Sequence, residues 1–418
     1  MHTNNFIDFL NASKNQYFAA KNLEALLVAQ GYKELKSTEA FTLDGEKFFL
    51  RLDDTGILAV NIGADADRFN IVGSHTDSPA FRIKANPVMK KEGCVLLNTE
   101  VYGGPIYSTW LDRPLSIAGR VSVLEEGHVV MKHVDFEKPV CTIPSLAIHM
   151  NRDVNKGFEL NPQTHLLPLV GMDHEGMTET VLLEQVAALV GGEILDYDLY
   201  LYDTQPADRI GFNEELIQCG RQDNLFMAYT SLIAFLEAGD HTAINVFLAT
   251  DNEEVGSTSY AGADSPVLGR LLERLALALG KDRDEYLAMI ERSFLISADA
   301  AHAVHPSYPE AADPTNRPRL GAGPVIKYAA NRAYTSDAYS AGRFIHYCNL
   351  ANVPYQTYHN RSDKKGGSTI GPISTSQIAI HSVDIGMSTL GMHACRELTG
   401  AKDVDYFIDV FKVFYEEN

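Results

Sequence analysis

The chain has 418 residues, 45% of them hydrophobic and 22% charged, a balance that suits a globular protein with room for two cores and excludes a disordered one. Asp and Glu number 55 against 35 Lys and Arg, and the formal net charge of -20 repels phosphate backbones, so nucleic acid is not an expected partner, while the surplus of carboxylates suits metal cations. No stretch reaches the ~18 consecutive apolar residues of a membrane span, so no membrane association is expected either.

The opening, "MHTNNFIDFLNASKNQYFAA", has neither the basic start and apolar centre of a secretory signal nor the arginines of a transit peptide, and cytoplasmic residence is the expectation. Phe6, Phe9 and Leu10, then Leu23, Leu26 and Leu27, recur at i, i+3, i+4 and predict two helices within residues 6–35. The runs "FFLRL", "GILAVNIG" and "FNIVGSH" read as strands, the last with the continuous apolar character of a strand covered on both faces. From about Lys84 to Gly220 the segments are short and broken by turns, with one clear helix in "TETVLLEQVAALVG", which predicts a mostly β insertion. The Gly-Gly of "VYGGPIY" lacks the context of a phosphate loop and reads as a turn. From Asp223 onward helix, strand, helix and strand alternate in "NLFMAYTSLIAFLEAG", "AINVFLAT", "VLGRLLERLALALG" and "SFLISAD", the pattern of a layered α/β sheet.

Cys94, Cys141, Cys219, Cys348 and Cys395 are odd in number and scattered, with no C-x-x-C pair, so a bound metal must be held by His and carboxylates. Such groups recur where the predicted strands end: His75 and Asp77 in "VGSHTDSP", Glu253 and Glu254 in "ATDNEEVGS", Asp299, His302 and His305 in "ISADAAHAVHP". Asp223 in "GRQDNL" and His393 in "LGMHACRE" join them. In open α/β sheets the carboxyl ends of strands are where ligands bind. Taken singly, His75 and Asp77 also read as a hydrogen-bonded core pair, Asp223 as a helix cap, Asp299 as a turn residue and the glutamates as an acidic loop. Adjacent residues on an extended backbone point to opposite faces, so Glu253 and Glu254 are placed for two different tasks.

The segments "GSHTDSPAFRIK", "YGGPIYSTWLDRPLSIAGRV", "IPSLAIHMNRDVN", "GRQDNL", "DNEEVGS", "SADAAHAVHPSYPE" and "STIGPI", in this order over residues 13–400, resemble the M18 metalloaminopeptidases, the aspartyl aminopeptidase group. The resemblance implies a three-layer α/β/α di-zinc exopeptidase domain in residues 1–84 and 221–418, with a β-rich dimerisation domain inserted at 85–220. It implies dimers assembling into a tetrahedral homododecamer. His75, Asp223 and Asp299 would hold one Zn²⁺, and Asp223, Glu254 and His393 the other, with Co²⁺ or Mn²⁺ able to substitute; Asp77 would orient His75, and a cis peptide would follow Asp223. Glu253 would be the general base that takes a proton from the attacking water. His302, Lys327 and Tyr334 would contact the peptide substrate, as would His149 reaching into a neighbouring subunit. Gln222, Lys364 and Lys365 depart from the family pattern, the two lysines near the expected specificity wall. The expected reaction is removal of acidic N-terminal residues from peptides. Leucine-type specificity, N-acyl deacylation by the same metals, and a non-catalytic scaffold or cargo shell are the alternatives.

Overall fold

In the computed structural model, which describes residues 1–417, the apolar run Phe69–His75 is the middle strand of a nine-stranded sheet. The strands lie in the order Lys33–Glu34, Lys47–Leu52, Gly56–Ile62, Ile244–Thr250, Phe69–His75, Phe294–Ala298, His381–Gly386, Val325–Tyr328 and Gln356–His359. Ile244–Thr250, Phe69–His75, Phe294–Ala298 and His381–Gly386 run parallel to one another. Every residue of the first three is buried, the mark of strands covered on both faces.

The period-two alternation of these strands sorts their side chains into two cores. Val72, Phe247, Ala249, Phe294 and Ile296 pack with the helices His2–Ala12, Gln16–Ala29, Gln222–Glu237, Ala338–Leu350 and Asp403–Tyr415. Ile71, Val246, Leu248 and Leu295 pack with Val267–Ala278 and Arg283–Arg292. The result is three layers, α/β/α. Each buried Phe or Leu contributes about 1.5–3 kcal/mol, so the sheet is a stiff platform for groups carried at its strand ends.

These elements form one compact unit, made of Met1–Asp77, Ala207–Met392 and the residues from Glu397 onward. It also holds a five-stranded sheet in the order Asp208–Ile210, Leu216–Cys219, Glu397–Gly400, Ser388–Leu390, Ala301–His302. Leu216–Cys219 pairs antiparallel with Glu397–Gly400, and Ile217 and Cys219 enter the helix-covered core. Residues 207–220, read from sequence as insertion, therefore belong to this unit, because their strand partner lies almost two hundred residues further along.

The second unit comprises Ser78–Pro206 and, from late in the chain, His393–Arg396. Its six strands are all paired antiparallel, in the order His128–Asp135, Leu115–Glu125, Glu193–Asp203, Ala80–Lys91, Cys94–Tyr102, Leu169–Met172. The helix Val181–Val190 sets Leu182 and Val186 into a core shared with Val121, Val123 and Val134. Among the described residues no helix is long and apolar enough to cross a membrane.

Candidate metal centre

His75 ends the strand Phe69–His75 and stands opposite Thr250, the last residue of its neighbour; Asp299 directly follows Phe294–Ala298. The parallel strands thus deliver a histidine and carboxylates to one edge of the sheet. After Thr250 the chain makes a single 3₁₀ turn over Glu253–Val255, entered through Asn252 in the left-handed region at φ 63°. This corrects the extended geometry expected for the two glutamates. In a 3₁₀ turn successive side chains are about 120° apart, which still separates Glu253 from Glu254. Asp223 lies at the start of Gln222–Glu237, where the backbone departs from helical angles at Asp223 and Asn224 and the peptide between them is cis.

One nitrogen of His75 and one carboxylate oxygen each from Asp223 and Glu254 lie within 4.8 Å of one another. His75 Nε2 is buried and makes no hydrogen bond; Asp223 Oδ1 is 3.6 Å away and Asp299 Oδ1 3.5 Å, beyond hydrogen-bonding range. On its other side the ring lies 3.1 Å from the Asp77 carbonyl and 3.2 Å from Asp77 Oδ1 at Nδ1. Both are acceptors, so Nδ1 carries a proton, and Nε2 is the nitrogen turned towards the carboxylates, where a bound cation would take the place of its proton. One imidazole nitrogen among buried carboxylate oxygens is a donor set that fits zinc.

Electrostatics agree with a cation site. Burial and the Asp299 carboxylate push Glu253 up to about 8. Burial and Asp223 push Glu254 well above the usual carboxylate range, and burial and Asp77 push Asp251 up to about 7. Burial opposes a charge on His75, but its contacts with Asp223, Asp299 and Asp77 outweigh it and hold its pKa well above 6.5.

Surrounding groups fix these side chains. Asp77 is fully buried and accepts the amide N–H of Glu253 at Oδ1 and that of Glu254 at Oδ2, each at 3.2 Å. Glu397, buried, accepts the Asp223 amide at 3.0 Å, and Asn224 donates to the Ala298 carbonyl at 2.9 Å. The Gln222 amide donates to the carbonyls of Ile217, Cys219 and Glu397 and accepts from Thr399. A polar residue here is therefore a stitch between two strands. Glu397 went unnoticed in the sequence, and Asn224 figured there only as the residue after Asp223 in the expected cis peptide.

Lys327 is buried, with its ammonium on Asp299 and Ala300 and 5.2 Å from the ring of buried Tyr334. Burial opposes its charge, yet Asp299 prevails and raises its pKa. His302 is exposed, 5.8 Å edge-on from Tyr358, and lines a cavity of about 260 Å³ that also exposes His359 and Lys364; Lys365 is exposed beyond it. His149 and His393 lie in the second unit. His149 is exposed in a turn closed by the Met150 amide on the Ala147 carbonyl. His393 has Nδ1 3.1 Å from the Gly104 carbonyl, which places the proton there and leaves Nε2 as the basic nitrogen.

The family model described as "Aminopeptidase I zinc metalloprotease (M18)" matches residues 9–415. The chain belongs to the M18 family. "Probable M18 family aminopeptidase 2" of Clostridium novyi (strain NT) is 44% identical over 423 residues, covering 99% of this chain and 98% of that protein. The protein of the same description from Pseudomonas putida (strain GB-1) is 41% identical, covering 98% and 96%. Among solved structures, a chain described as "Cryo-EM structure of the Ape4 and Nbr1 complex" is 34% identical with a TM-score of 0.95, covering 99% of this chain and 85% of that one. An M18 aminopeptidase from Thermotoga maritima shares the fold, with a TM-score of 0.88 at 24% identity, covering 99% and 96%. The M18 assignment makes the protein an aminopeptidase and a metallopeptidase, in a family described as using zinc.

Proposed function

We propose that this M18 chain is a di-zinc aminopeptidase. His75, Asp223 and Asp299 would hold one ion, and Asp223, Glu254 and His393 would hold the other. The observation that carries the reading is the convergence of donor atoms from His75, Asp223 and Glu254 within 4.8 Å. His393 is added by the family resemblance, and its basic Nε2 suits the role. Bound zinc supplies Lewis acidity, polarising a carbonyl and acidifying water, and Co²⁺ or Mn²⁺ can substitute in a nitrogen–oxygen donor set. Glu253, half-buried and anchored through its amide to Asp77, takes the proton from the attacking water and returns it to the departing amine.

The substrates are peptides with acidic N-terminal residues, a preference supported by His302, His359 and Lys364 on one cavity. Homo-oligomerisation through the second unit, as dimers building a tetrahedral dodecamer, is supported by exposed Leu146, Ile148 and Met150 around His149, an apolar surface that self-association would cover. Cytoplasmic residence is supported by five cysteines that form no disulfide, four of them buried. The test is zinc content together with hydrolysis of an aminoacyl-arylamide panel. Two zinc ions per wild-type chain, loss of zinc in Asp223→Asn, and release of aspartate and glutamate are expected. A wild-type chain that stays active with a single zinc would refute the paired-metal reading.

A further inference from the structure

The segment His393–Arg396 and the turn at residues 103–106, "GGPI", lie in the same unit. The turn begins at Gly103, whose φ of 68° suits a residue without a Cβ. Two of its peptide groups then meet His393. The Gly104 carbonyl lies 3.1 Å from His393 Nδ1, and because a carbonyl only accepts, Nδ1 is the donor. The Ile106 amide donates to the His393 carbonyl at 2.9 Å. A Cβ at position 104 would stand 3.4 Å from Nδ1 and 3.9 Å from Cε1, so the imidazole packs against the glycine and a branched side chain there would crowd it. Further along the chain, the Thr109 hydroxyl donates to the Ile106 carbonyl at 2.7 Å and accepts the Cys395 amide at 2.8 Å. Buried Arg396 fastens the far end of the segment to the carbonyls of Gln205 and Pro206, at 2.9 and 2.8 Å. His393 itself is held at φ 66°, in the left-handed region that side chains enter rarely and keep only where their surroundings enforce it.

We propose that the turn at 103–106 and Thr109 form a cradle that positions His393: the Gly104 carbonyl orients the ring through Nδ1, and the Ile106 amide and the Thr109 hydroxyl fix the backbone from which the ring projects. The proposal rests on the reading of His393 as a zinc ligand. Partners of metal-bound histidines set the orientation of the ring and leave the other nitrogen for the cation. Here that partner is a backbone carbonyl, which no side-chain substitution removes. The Gly-Gly pair that reads from sequence as a plain turn thereby acquires a task at the metal centre.

Ile106 has φ -76°, close to the about -65° of proline, so Ile106→Pro deletes the N–H with little change in backbone shape and sets a ring carbon against the His393 carbonyl. In that variant the affinity for one of the two zinc ions, measured by chelator competition, should fall about 10–100-fold while the other ion is retained. Ile106→Ala keeps the amide and should bind zinc as wild type does. Thr109→Val, similar in shape but without the hydroxyl, should weaken the same zinc ion, and Thr109→Ser should restore it. Wild-type zinc affinity in a folded Ile106→Pro, or a loss that Ile106→Ala shares, would overturn the proposal. Should Ile106→Pro fail to melt cooperatively, the Thr109 pair decides: wild-type affinity in Thr109→Val, or no recovery in Thr109→Ser, would overturn it. His393→Ala separates the two layers of inference. If that variant binds both zinc ions as wild type does, the ligand reading fails; if it loses one while Ile106→Pro and Thr109→Val keep both, only the cradle fails.

Discussion

Replacing Asp77 by Asn perturbs the one side chain that touches three parts of the candidate centre. Oδ1 accepts the Glu253 amide and lies 3.2 Å from His75 Nδ1, and Oδ2 accepts the Glu254 amide. A carboxylate accepts at both oxygens, whereas a carboxamide accepts at one and donates at the other. In Asp77→Asn the new NH₂ must therefore face either the Glu254 N–H or the pair formed by His75 and Glu253. A buried N–H left without an acceptor costs about 1–3 kcal/mol, and the lost charge-assisted bonds add to it. Losing a partner that fixes the imidazole tautomer lowers zinc affinity about 10–100-fold. His75 Nδ1 retains the Asp77 carbonyl at 3.1 Å, so the effect should fall towards the low end of that range. Thermal melting and chelator competition on the holoenzyme measure the two parts, and added zinc should recover some of the lost activity. Wild-type melting together with wild-type zinc affinity would show that the three contacts do not position the centre.

The remaining predictions concern other groups. Glu253→Gln should keep its zinc and lose about 10²–10⁴ in kcat, whereas Glu254→Gln should lose zinc; equal zinc loss in both would contradict the division of roles. Asp403 is buried, accepts the amides of Gly321 and Gly323 at 2.9 Å, and is pushed up by burial to about 6. The folded state then binds this proton more tightly than the unfolded one, so the group's stabilising contribution is lost as pH rises through about 6; wild type should gain about 1.4 kcal/mol over Asp403→Asn between pH 7.5 and pH 5, and a flat difference in melting across that window would refute it. Mixing His149→Ala with Glu253→Gln protomers should restore activity if His149 serves a neighbouring subunit, and a stable monomer of normal activity would rule that out.

Much of the layered sheet was legible because its signal is local. The largely apolar runs at 69–75 and 244–250 can be read without knowing their partners, and both are central strands. The helix Arg283–Arg292 was missed although its capping box, Asp282 with Glu285, is visible in the sequence; so was Ala338–Leu350, capped by Asp337 and Ser340. What sequence could not reveal is long-range. Nothing in "LIQC" says that it pairs with "ELTG", and nothing in "HACR" assigns it to the second unit. The candidate ligands stand out because carboxylates and histidines at strand ends are unusual residues in apolar surroundings. Lys327 is different: nothing in the sequence reveals that it is buried, with its ammonium on the carbonyls of Asp299 and Ala300.

If the protein prefers acidic N-terminal residues, the positive charge that attracts them can be buried, as on Lys327, or exposed. The net charge of -20 opposes acidic peptides at long range, but at physiological salt that field is screened beyond ~8 Å, so nearby groups decide. His302, His359 and Lys364 share a cavity, and Lys364 is exposed, without the carbonyl cage that holds Lys327. An exposed cation is screened by added salt where a buried one is not. If Lys364 supplies the attraction, the ratio of aspartyl to leucyl kcat/KM should fall as salt rises and should drop in Lys364→Ala, with zinc affinity unchanged in both cases. A ratio that ignores salt and survives Lys364→Ala would place the discriminating charge in a buried position and return attention to Lys327.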